Sequence, residues 1–79
     1  MAFTELIIQQ VWEKGSIVPG YDLRVWRRDQ YGTPIFRAHY GNRNSKHGWE
    51  IDHVIPVVNG GSDNLLNLRP LQWENNVGR

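Results

Sequence analysis

No cysteine occurs in the 79-residue chain, so neither a disulfide nor a thiolate zinc site can hold it together. Domains of this size often lean on one or the other. The core must come from packing instead. Trp12, Trp26, Trp49 and Trp73, with Phe3, Phe36, Tyr21, Tyr31 and Tyr40, are the aromatic supply for it. Long apolar runs are also missing, which excludes a membrane span. The opening stretch MAFTELIIQQ lacks the basic flank of a signal peptide. Absence of cysteine agrees with a reducing compartment, and the cytoplasm is the expected location. There are no repeats, low-complexity tracts or linkers, so residues 1–79 are read as one small domain.

Charge is scarce as a net quantity, only +1, yet it is unevenly spread. Residues 1–13 carry Glu5 and Glu13 and no base. Residues 14–46 carry Lys14, Arg24, Arg27, Arg28, Arg37, Arg43 and Lys46 against Asp22 and Asp29. Residues 47–79 carry Arg69 and Arg79 against Glu50, Asp52, Asp63 and Glu74. A basic middle beside an acidic end suits a phosphate-binding face next to an acidic site. The plainer alternative is a solvated surface with scattered arginines.

What is present reads in two halves. TELIIQQVWEKG predicts a helix with Thr4 as N-cap, Ile7, Ile8, Val11 and Trp12 on one face, and Gly15 as its stop. A strand through Leu6 to Ile8 is the alternative. SIVPGYD reads as a turn-rich connection. LRVWRRDQYGTPIFRAHYG alternates and is broken by Gly32 and Pro34, predicting two short extended pieces or a hairpin. NRNSKHG is a polar loop, and His39 and His47 are read as bystanders. Trp49 and Trp73 are read as core residues.

WEIDHVIPVVNGG then sets an acid and a histidine, Asp52 and His53, inside a strand-like run from Trp49 to Ile55 that Pro56 ends. NGGSDN is a loop whose glycines accept positive φ. LLNLRPL is a second short strand, and QWENNVGR a short closing helix. Neighbouring polar side chains in a strand require water, a partner or a ligand. Alone, the pair would read as a solvated strand end. Asn67 follows His53 by 14 residues and Asn76 by 23, on the second strand and the helix respectively. Folding strand, loop, strand and helix together would bring these side chains into one small pocket.

Residues 49–76 resemble the HNH endonuclease family in element order and in these intervals, and VWRRDQYG resembles the segment that often precedes the core. The resemblance implies an α+β fold: a ββα-metal, treble-clef-like core at 49–79, with an N-terminal helix and short hairpin over 1–48. It implies His53 as the general base, for which an imidazole of unperturbed pKa about 6.5 is suited. Asn67 would hold the loop against the strand and so keep His53 in place. Asp52 and Asn76 would be the metal ligands, with Asn75 the alternative to Asn76. Glu50 is a candidate orienting residue, acting through an arginine.

Two departures from the commoner pattern matter. Where many members carry zinc-binding cysteines, Tyr31 stands near one such place and Gln72 and Asn75 near the others, so no structural zinc is expected. The third motif residue is an amide, which favours Mg²⁺ or Mn²⁺ over zinc or nickel. The implied function is hydrolysis of nucleic-acid phosphodiesters, DNA first and RNA second, with Arg37, Arg43, Lys46 and Arg69 expected on the backbone. The alternative is a non-catalytic nucleic-acid-binding or protein-interaction module that keeps the fold. No membrane partner is expected, and any protein partner is unknown.

Overall fold

A computed structural model describes residues 2–78. Helix α1, Glu5–Trp12, starts where predicted: the Thr4 hydroxyl accepts from Ile7 N at 3.2 Å, and Glu5 adds an acid to the first turn. Its inner face, Ile8, Val11 and Trp12, is buried. Beyond the helix, buried Arg27 donates to the carbonyls of Glu13 (3.2 Å), Gly15 (2.9 Å) and Leu23 (3.1 Å). A cation near the free carbonyls of a helix C-terminus is favourable.

The middle of the chain is a three-stranded antiparallel sheet of β1 (Ser16–Ile17), β2 (Trp26–Arg28) and β3 (Pro34–Phe36), in that order. The expected hairpin is β2–β3. The segment read only as turns contributes the added strand β1. At the hairpin end Asp29 caps its own turn, accepting from Tyr31 N and Thr33 N, each at 3.0 Å.

Strands β4 (Trp49–His53) and β5 (Leu68–Gln72) form a separate antiparallel pair, followed by α2 (Trp73–Val77). This is the expected strand, loop, strand, helix order within an α+β fold. Two boundaries differ from the sequence reading. Strand β4 stops at His53 and not at Ile55, because the Asn67 side chain takes over the Ile55 N–H at 2.8 Å. Val54 and Ile55 are left about half exposed, at 52% and 55%. Leu65–Asn67 is a 3₁₀ turn capped by Asn64, whose Oδ1 accepts from Leu66 N at 3.0 Å. Asn67 therefore precedes the second strand instead of lying on it.

The β4–β5 pair has two different faces. Trp49 lies in one cluster with Trp12, Ile8, Val11, Ile35 and Leu68, and Ile51 packs against it. The Trp12 and Trp49 rings are 5.3 Å apart. Burying two indoles and four aliphatic side chains is the main apolar driving force for so small a fold. The opposite face carries Glu50, Asp52, Arg69 and buried Leu71, and α2 reaches it through Asn76.

A second, polar join links the hairpin to β5 and α2. Asp29 is 2% exposed, and its Oδ2 accepts from Gln72 N at 3.0 Å and Asn75 Nδ2 at 2.7 Å. Asn75 also donates to Thr33 Oγ1 at 3.0 Å. One buried carboxylate thus ties the hairpin to β5 and α2. Among the described residues, no helix is long and apolar enough to cross a membrane.

Candidate active site

The site is built at the end of β4. Asp52 and His53 are consecutive residues, so their side chains leave opposite faces of the strand. Asp52 turns to the α2 side, where its Oδ2 accepts from Arg69 Nε across the strand pair at 2.7 Å. Arg69 also donates from Nη1 to Gln30 Oε1 at 2.9 Å. His53 turns to the α1 side, with its ring 6.2 Å from that of Phe3. The expected single pocket is corrected accordingly: strand alternation distributes the motif around a strand end, acid on one side and imidazole on the other.

Asn67 grips the chain just after His53. Its Oδ1 accepts from Ile55 N at 2.8 Å, and its Nδ2 donates to Ile55 O at 3.1 Å and Ser62 O at 2.9 Å. Its carbonyl accepts from Val54 N at 2.8 Å. The turn between these anchors needs glycines. Gly60 has φ 88°, and a Cβ on Gly61 would fall on the Ile55 carbonyl.

Helix α2 is entered through Gln72, whose Oε1 accepts from Glu74 N at 2.9 Å and Asn75 N at 3.2 Å. The following asparagines divide. Asn75 turns into the Asp29 network, whereas Asn76 Nδ2 donates to Glu50 Oε1 at 2.8 Å. Glu50 also meets Arg43, whose Nε donates to Oε2 at 2.6 Å and Nη2 to Oε1 at 3.0 Å. The Arg43 guanidinium holds the Glu50 carboxyl below the usual carboxylate range, aided by Asn76 and opposed by burial. Glu50 thus links an arginine to the helix residue expected as a ligand.

The donors on this face are carboxylate and amide oxygens: Asp52 and Glu50, two residues apart on one strand face, with Asn76 bonded to Glu50. Such a set fits a hard divalent cation completed by water and phosphate oxygens. Among the described residues, no cluster of three or more His, Asp or Glu side chains is arranged to hold a metal. An ion here would depend on the Asn76 amide and on non-protein oxygens, and would compete with Arg69 for Asp52.

The other residues named from the sequence fall as follows. Arg37 is turned inward, bonding Gln9 Oε1 at 3.0 Å and Glu5 at 3.5 Å, with its guanidinium 5.9 Å from the Trp49 ring centre. Arg43 and Arg69 are engaged by carboxylates, and Lys46 is exposed. His39 bonds Ser45 Oγ at 2.7 Å and His47 bonds Pro34 O at 3.2 Å, both away from the motif. Trp49 is fully buried, and Trp73 is half-buried with its Nε1 donating to Ser45 O at 2.8 Å.

Two residues were passed over in the sequence. Asp63 Oδ1 lies 2.7 Å from His53 Nε2. Asp29 is the buried bridge. The D-x-x-G pattern of Asp29 and Gly32 signals a capped turn, but nothing local signals its bonds to Gln72 and Asn75.

Comparison with protein-family models matches residues 41–74 to the HNH endonuclease family. No curated protein and no solved structure matches the chain. The matched segment contains Asp52, His53 and Asn67 and ends just before Asn75 and Asn76. Over this segment, the chain is similar to the HNH endonuclease family.

Proposed function

We propose that this protein is a metal-dependent endonuclease hydrolysing nucleic-acid phosphodiester bonds, DNA in the first place, and acting in the cytoplasm. The match of residues 41–74 to the HNH endonuclease family supports a nuclease-type function. One observation carries the finer reading. At the end of β4 a carboxylate and an imidazole leave opposite sides of the strand, and Asn67 clamps the backbone directly behind them. In-line hydrolysis needs charge stabilisation and a proton acceptor on different sides of the phosphorus.

In this reading, His53 accepts a proton from the attacking water as its oxygen bonds to phosphorus. The bond from phosphorus to the 3′ oxygen breaks, and the leaving oxygen is reprotonated from solvent. Asp52 and Asn76 are the residues that would hold Mg²⁺ or Mn²⁺. When bound, the ion supplies charge stabilisation for the phosphate and leaving oxygen. Lys46 with Arg43 and Arg69 would meet backbone phosphates, which carry no sequence information, so little intrinsic sequence preference is expected.

The second reading is a non-catalytic nucleic-acid-binding or protein-interaction module. It draws on the arginine pairing of Asp52 and Glu50, which satisfies both carboxylates without an ion. Nicking of supercoiled plasmid with Mg²⁺ or Mn²⁺ separates the two. Wild type should nick, and His53→Ala should lose roughly 10²–10⁴ in rate while retaining its fold and its binding to a DNA duplex in EDTA. A His53→Ala variant as fast as wild type would remove His53 from the mechanism. A wild type that binds DNA in EDTA but never nicks would favour the second reading.

A further inference from the structure

We propose that Asp63 is a positioning residue for His53: its carboxylate fixes the imidazole with Nε2 as the hydrogen-bond donor and leaves Nδ1 as the basic nitrogen. The catalytic consequence rests on the nuclease reading above. The pairing itself rests on geometry. His53 Nε2 and Asp63 Oδ1 are 2.7 Å apart, with side-chain exposures of 21% and 43%. The contact joins the last residue of β4 to a loop ten positions later, and the Phe3 ring centroid lies 6.2 Å from that of the imidazole.

The loop does not depend on Asp63 for its shape. Asn67 holds Ser62 O and both backbone groups of Ile55. Gly61 N donates to Pro56 O at 2.9 Å, and Asn64 N to Ser62 Oγ at 3.1 Å. With its neighbours anchored in these ways, the Asp63 carboxylate is delivered to the ring by an already formed turn.

The chemistry follows from donor and acceptor inventories. An ionised carboxylate can only accept, so a neutral imidazole bonded to it must carry its hydrogen on Nε2. The remaining lone pair is on Nδ1. An acid that holds one nitrogen of a histidine selects the tautomer and orientation in which the other nitrogen can take a proton. With one backbone clamp from Asn67 and one ring clamp from Asp63, His53 is held at both ends.

The test uses the full chain, the Asp63→Ala and Asp63→Glu variants, supercoiled plasmid and a short DNA duplex. Asp63→Ala should lower kcat about ten- to a hundredfold, part of the roughly 10²–10⁴ that a positioned base supplies, with KM, duplex binding in EDTA and Tm unchanged. Asp63→Glu should recover much of the rate. Proton–nitrogen NMR of the metal-free protein should show a hydrogen-bonded Nε2–H on His53 in wild type and not in Asp63→Ala. Wild-type turnover in Asp63→Ala would overturn the proposal, as would a loss mirrored in Tm that the glutamate does not restore. Absence of the Nε2–H signal in wild type would overturn the pairing. A wild type that shows the signal but cuts nothing would overturn the nuclease reading, and the base-positioning role with it, while leaving the pairing in place.

Discussion

Asn67 has the plainest residue-scale role. Its side chain closes both backbone groups of Ile55 and reaches Ser62, doing at one point what a longer strand pairing would do over several residues. Each such bond contributes about 0.5–1.5 kcal/mol, and more when a buried partner is orphaned. Asn67→Ala should therefore destabilise the protein by roughly 1–3 kcal/mol, read as a lower Tm in thermal unfolding. An unchanged Tm would show that the loop is held elsewhere. Arg37 teaches the opposite lesson. Counted among phosphate contacts from charge alone, it spends its guanidinium on Gln9, Glu5 and the Trp49 ring. Residue type told that it was a cation; only packing told which way it turned.

At the scale of the element, helix α2 decides which asparagine faces the acidic strand. Successive helical residues point about 100° apart, and the Gln72 cap sets the starting phase. Asn76 reaches Glu50 while Asn75 serves Asp29 and Thr33. Under the proposed function, Asn76→His exchanges an amide oxygen for an imidazole nitrogen, and nitrogen ligands favour Ni²⁺ and Zn²⁺ over Mg²⁺. That variant should bind Ni²⁺ more tightly in calorimetry and turn its nicking activity away from Mg²⁺. Asn75→His should gain no affinity and should melt earlier, because it removes a donor from a buried carboxylate. If Asn75→His gained the Ni²⁺ affinity and Asn76→His did not, Asn75 and not Asn76 would face the ion.

At the scale of the whole molecule, the joins between the hairpin sheet and the β4–β5–α2 unit include the apolar cluster of Trp12, Trp49 and Ile35 and the Asp29 carboxylate. Asp29 takes four hydrogen-bond donors, from Tyr31, Thr33, Gln72 and Asn75. Hydrogen bonds to charged groups are the stronger kind, about 1.5–3 kcal/mol each. Small domains have little stability to spare, roughly 5–15 kcal/mol. Asp29→Ala should cost at least about 2–4 kcal/mol and depress Tm far more than alanine at exposed Asp63. Asp29→Asn, which keeps an acceptor oxygen, should fall between. Equal melting of Asp29→Ala and wild type, followed by circular dichroism, would show that the two parts are joined without the Asp29 network.

The sequence by itself determined the local elements and the order of the motif. The Thr4 cap and the 3.6-residue stripe of Ile8, Val11 and Trp12 suffice for α1, because capping and amphipathicity act within a few residues. Likewise, the spacing of Asp52, His53, Asn67 and Asn76 is a property of the chain alone. Val54 and Ile55 read as strand from sequence because β-branched residues suit strands wherever they occur, yet β4 ends at His53. The competing bond from Asn67 comes from twelve residues away. Tertiary structure also decided that Asp52 pairs with Arg69, that Glu50 joins Arg43 to Asn76, and that Asp63 meets His53. Asp29 reaches its partners across more than forty residues. Partners at such separations depend on where the folded chain returns, and a hydrogen bond requires its two atoms within about 3 Å, a distance that sequence spacing does not specify.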